Sequence, residues 1–147
     1  MMLRAIISVL AVLAAFPACG FAQARTASVC IKDRCVTAEI ADTQEARATG
    51  LMHRDSLAPG WGMLFIFPDE AKHAFWMMNV RFPIDIIWID RDLKIVHIEH
   101  SAAACSGACP SYEPQAAAAY VLEVPAGFCT RNSIVVGDTV AFTHPVQ

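Results

Sequence analysis

Between Gly50 and Asp90 the chain carries three dense apolar runs: Gly-Leu-Met-His-Arg, Gly-Met-Leu-Phe-Ile-Phe, and Phe-Trp-Met-Met-Asn continuing into Pro-Ile-Asp-Ile-Ile-Trp-Ile-Asp. The runs read as buried strands, the last of them rich in β-branched and aromatic residues. Arg54, Asn79 and Asp85 are polar residues set among these apolar ones. A buried polar group without a partner costs free energy, so the three must either satisfy one another or meet a ligand. An Arg54–Asp85 pair is the expected partnership, because a guanidinium fork suits a carboxylate inside an apolar strand. The alternative is a pocket formed by Arg54, Asn79, Asp85, Tyr112 and Glu123 and walled by Trp76.

The order of elements points to a mainly β fold. Val36 to Ile40 alternates as a half-buried strand does. Asp42-Thr43-Gln44-Glu45 reads as a capping box with Asp42 as N-cap, and Gly50 is placed to end a helix of about two turns. Strands are expected at 63–67, 73–78, 84–89, 94–99 and 120–124, with a last hairpin around Gly137-Asp138 built on Val135, Val136, Val140 and Phe142. The stretch 103–118, rich in Ala, Cys, Gly and Pro, reads as a long loop. About seven short strands and one minor helix imply a compact, mainly antiparallel α+β domain, barrel-like or sandwich.

The chain opens Met-Met-Leu-Arg, followed by a twelve-residue stretch from Ala5 to Phe16 that is apolar but for Ser8, and a small-x-small site at Ala22-Gln23-Ala24. That is the pattern of a secretory signal peptide, with cleavage after Ala24. A lipoprotein box ending at Cys19 is the competing reading, but Phe16 and Pro17 suit it poorly. Residues 25–147 then form one domain, periplasmic or secreted, with no segment able to span a bilayer. Of eleven Lys and Arg only Arg4 is lost, leaving ten against fourteen acidic residues. The basic residues are scattered, which argues against a nucleic-acid partner. An exported chain favours disulfides over a reduced metal site. Cys30 and Cys35 lie opposite each other if Lys32-Asp33 is a hairpin tip, Cys105 and Cys109 can close a tight loop, and Cys129 is left over. No histidine stands at ligand spacing beside these cysteines, so neither a metal nor a cofactor is expected.

Glu45…Arg47…Gly50-Leu51-Met52-x-Arg54, Gly62-Met63-Leu64-Phe65, Phe75-Trp76-Met77-x-Asn79, Pro83-Ile84-Asp85-Ile86, Cys109-Pro110-x-Tyr112 and Leu122-Glu123-x-x-Ala126-Gly127 together resemble the DUF192 (UPF0127) family. The resemblance covers about residues 38–142 and implies a compact β-rich domain, frequently exported, with no established activity. Two positions depart from the family's pattern: Met78 stands where a Lys is usual, and Val80 where a Thr is usual.

The reading that follows is a ligand- or partner-binding module of the cell envelope, taking a small molecule or an envelope component. Two rivals stand beside it. Asp85 and Glu123 could act as the acid and base of a carbohydrate hydrolase, with Trp61 or Trp76 stacking on a sugar. Met52, Met63, Met77 and Met78 with five histidines could hold copper, although methionines in such runs more often fill a core.

Overall fold

A computed structural model describes residues 25–143. The expected cleavage site and the lipoprotein alternative fall on residues 1–24, outside the described region. The alternation read in the sequence places β1 (Thr26–Ile31) and β2 (Arg34–Ala41) in a hairpin turning at Lys32-Asp33, with Cys30 directly opposite Cys35. The two cysteines are joined, as are Cys105 and Cys109, while Cys129 is a buried free thiol.

Helix α1 (Gln44–Thr49) is capped one residue later than the sequence suggests. Thr43 rather than Asp42 is the N-cap, its hydroxyl accepting from the Ala46 amide. This shift moves Glu45 out of the capping-box position. Gly50 ends the helix at a positive φ of 48°, as expected, and a Cβ there would press on the Phe65 ring.

The chain continues through β3 (Trp61–Ala71), β4 (Phe75–Trp76), β5 (Ile84–Ile89), β6 (Ile95–Ala102), β7 (Ser111–Tyr112), β8 (Ala118–Pro125), the short α2 (Phe128–Arg131) and β9 (Val140–Phe142). Seven strands form one sheet in the order β6-β5-β8-β3-β2-β1-β9, and β4 pairs with β7 in a second, small one. All pairings are antiparallel except β2–β3, which run parallel because α1 carries the chain over between them.

The expected strand at 73–78 shrinks to Phe75–Trp76. Its partner β7 lies in the stretch read as a long loop, and α2 in one to which the sequence reading assigns no element. The expected C-terminal hairpin does not form: Val135 and Val136 are exposed, and β9 instead adds to the edge at β1. The sheet curls until its two edges meet at one end, where Ile95 and Gly137 exchange backbone bonds with Asp138 and Ile95 and the Val140 amide donates to the Leu93 carbonyl.

Both faces of the curled sheet are buried. The inner face packs Val29, Ile31, Val36, Leu64, Ile87, Ile89, Leu122, Val124 and Val140. The outer face packs Met63, Phe65, Ile84, Ile86, Trp88 and Val121 beneath Leu51, Met77 and Val80. Burial on both sides explains why β5 has no exposed residue, and why its sequence runs apolar without alternation.

Candidate functional site

One register row crosses the outer face: Glu39 pairs with Met63, Met63 with Glu123, and Glu123 with Ile86. Gly62 lets β3 and β8 approach here, since a Cβ on it would lie 2.8 Å from the Glu123 carbonyl oxygen. The Glu123 side chain therefore rises from the middle of the sheet into the outer core. It is buried, and its Oε2 has no hydrogen-bond partner among the described residues. Desolvation raises its pKa from 4.5 to about 8, with the nearby Arg54 charge pulling the other way. At neutral pH this is mostly a neutral acid, able to donate one hydrogen bond.

Above Glu123 lies a small cavity of about 40 Å³, bounded by Gly50, Leu51 and Met52 after α1, by Phe65 and Phe75, and by Trp76, Met78 and Val80. This is room for about one water-sized group. Trp76, at its mouth, is 53% exposed, so the cavity opens onto an aromatic surface. The two departures from the family pattern, Met78 and Val80, both line it. A lysine at 78 would bring an ammonium toward the buried acid, whereas the thioether present leaves that acid unpaired.

Arg54 does not pair with Asp85. Its guanidinium forks onto Glu39, with Nη1 donating to Oε1 at 2.5 Å and Nη2 to Oε2 at 2.8 Å, and these bonds hold Glu39 below its usual carboxylate range. Asp85 points to the other face of the sheet. Its Oδ1 accepts from the Ser101 and Gly127 amides at 2.9 and 3.0 Å, and its Oδ2 from the Cys129 amide at 2.8 Å. The aspartate needs no guanidinium because the turn into α2 presents backbone donors to it. Sequence inspection could not find this, since amide donors are invisible in residue type.

Asp85 and Glu123 face opposite sides of the sheet: Asp85 is paired with Val124, and Glu123 with Ile86. They cannot flank one glycosidic bond, and the carboxylate-pair hydrolase fails on that geometry.

Of the other expected site residues, Asn79 acts through its backbone. It adopts a left-handed φ of 58°, accepts from the His53 amide and donates to the Cys105 carbonyl, tying the post-helix turn to the disulfide loop. An open concavity of about 250 Å³ lies beside this knot, lined by His53, Asn79, Arg81 and Ser106. Tyr112 pairs with Phe75 and packs on the outer core, away from the cavity wall. The structure thus brings Trp76 and Glu123 together with Arg54 nearby, and leaves Asp85 and Tyr112 elsewhere. Met52 and Met78 line the cavity, a place that neither the copper reading nor the core-filling reading of the methionines assigns to them. Met63 and Met77 are buried in the core.

The family model DUF192, described as an uncharacterized ACR, matches residues 27–142. The chain belongs to this family. A UPF0127 protein of Pyrococcus abyssi is 34% identical over 107 residues, covering 69% of this chain and 82% of that protein. Another from Thermococcus kodakarensis is 27% identical over 110 residues, covering 71% of this chain and 64% of that protein. The crystal structure of a Sinorhizobium meliloti protein, described provisionally as a transcription regulator, superposes with a TM-score of 0.73 at 30% identity, covering 84% of this chain and 98% of that one. The DUF192 fold is thus a small β domain of uncharacterized function. Among the described residues of this member, no helix is long and apolar enough to cross a membrane.

Proposed function

We propose that this DUF192 domain is an exported binding module of the cell envelope that takes a small molecule carrying a hydrogen-bond acceptor. The carrying observation is the unpartnered Oε2 of buried Glu123 beneath the cavity. A fold that needed only stability would place an apolar side chain there, because an unmet buried hydroxyl or carboxyl costs about 1–3 kcal/mol. The cavity admits one group, such as a carbonyl oxygen, while the remainder of the ligand rests on exposed Trp76. Two disulfides support an oxidising compartment. The small-x-small site after the apolar N-terminal stretch supports export, with Arg25 as the first mature residue. N-terminal mass spectrometry would reveal that start, or would refute it by finding an acylated Cys19.

Ligand-observed NMR with small amides and ketones tests the site. Saturable binders should lose their signal with Glu123→Leu, whose fold is checked by circular dichroism. Binding that persists undiminished in the folded variant would defeat the proposal. A DNA-regulatory role, suggested by the Sinorhizobium relative's description, gains no support from the scattered basic residues.

A further inference from the structure

A second cluster of polar side chains lies on the inner side of the sheet, opposite Glu123. An oxygen of Asp85, a ring nitrogen of His100 and Sγ of Cys129 all fall within 4.8 Å of one another. They come from three elements: β5, the adjacent β6 and α2. Asp85 and Cys129 are buried, while His100 is exposed at the rim. The three backbone amides from Ser101, Gly127 and Cys129 fix the carboxylate in orientation, as the outer hydrogen bonds of metal-binding carboxylates do. A cation between Sγ and the carboxylate would find the His100 ring nitrogen within the same 4.8 Å.

We propose that Asp85, His100 and Cys129 form a three-ligand site for a divalent cation of the zinc class, with the fourth position open to solvent on the side of His100. Sulfur, imidazole and carboxylate in one set suit this borderline-soft ion. Hard cations such as calcium require six or more oxygens, which this cluster does not offer. On binding, the metal–sulfur bond replaces the sulfur–hydrogen bond and the thiol proton passes to a solvent base. The thiolate and carboxylate charges together offset the ion's, so the buried site ends near neutral. The other cysteines of the described region are held in disulfides and cannot compete.

Cobalt(II) titration of the purified mature protein, starting at Arg25, tests this, since Cys129 is then the sole thiol outside a disulfide. The expected result is saturation at one ion per chain with a thiolate-to-cobalt charge-transfer band in the near ultraviolet, bleached when zinc displaces the cobalt. His100→Ala, an exposed change that leaves the fold intact, should weaken binding by about tenfold or more. Cys129→Ser should abolish the band; should that variant fail to fold, His100→Ala decides alone. Absence of a band in the folded protein, or a band and affinity indifferent to His100→Ala, would overturn the site.

Discussion

Asp85 and Glu123 are buried carboxyls on neighbouring strands, one register position apart, facing opposite sides of the sheet. Asp85 collects three backbone amides at 2.8 to 3.0 Å. Glu123 Oε2 collects none among the described residues, and its acid is neutral up to about pH 8. The first arrangement holds β5, β6 and the turn into α2 together. The second costs stability and returns nothing to the fold. Side chains tolerated at such a cost mark places where binding, rather than folding, governs the choice of residue.

The strongest test of this contrast is Asp85→Ala. It would strand one buried and two part-buried amides, and it should cost roughly 3 to 5 kcal/mol in denaturant melts, with Asp85→Asn intermediate because its amide presents an N–H toward one of the donors. A loss under about 1 kcal/mol would erase the distinction between the two carboxyls.

Glu123 should reveal itself through pH. Its folded pKa, about 8, lies above the ordinary 4.5, so its contribution is fully present below about pH 4.5. As pH rises, the unfolded chain releases this proton first, and stability falls until the folded pKa is passed. The window from about 4.5 to 8 should therefore show a decline on the order of 3 to 5 kcal/mol from this group. Glu123→Gln should flatten that decline. Met78→Lys should reduce it, by supplying a cation to the charged acid. Parallel pH profiles for wild type and Glu123→Gln would show that the acid is not buried as described.

The smallest expected effect separates two pairings. A double-mutant cycle of Arg54→Met with Glu39→Gln should give a coupling of about 1 kcal/mol, modest because the side chains are 34% and 22% exposed. The same cycle with Asp85→Asn should be additive within about 0.5 kcal/mol. Coupling to Asp85 that exceeds coupling to Glu39 would restore the pairing the sequence suggests.

The strands were legible where period and turn chemistry agree. The Cys30–Cys35 hairpin, the β5 run and the Gly50 helix stop each carry a local signal strong enough to stand alone. Asp85 was legible as a buried carboxylate needing partners, but not as one served by amides, because its donors lie sixteen to forty-four residues away and carry no side-chain signature. Arg54 was likewise legible as a paired cation, while Glu39, on a strand made adjacent only by the parallel β2–β3 pairing, was not. The short β7 and the four-residue α2 owe their existence to tertiary contacts, which outweigh the weak propensities of so few residues. The opposite facing of Asp85 and Glu123 depends on cross-strand register, which no single stretch of sequence encodes.

The meeting of β6 and the segment before β9 bears on how the domain avoids sticking to itself. A strand edge with free amides and carbonyls is a template for another molecule's strand. Here residues 93–95 and 137–140 occupy one another's edges, joined also by the Lys94–Thr139 side-chain bond across 45 positions of chain. Such a distant contact carries a high loop-closure cost, which favours its forming after the local hairpins. Until that seam closes both edges lie open, so crowding is most hazardous during the last step of folding.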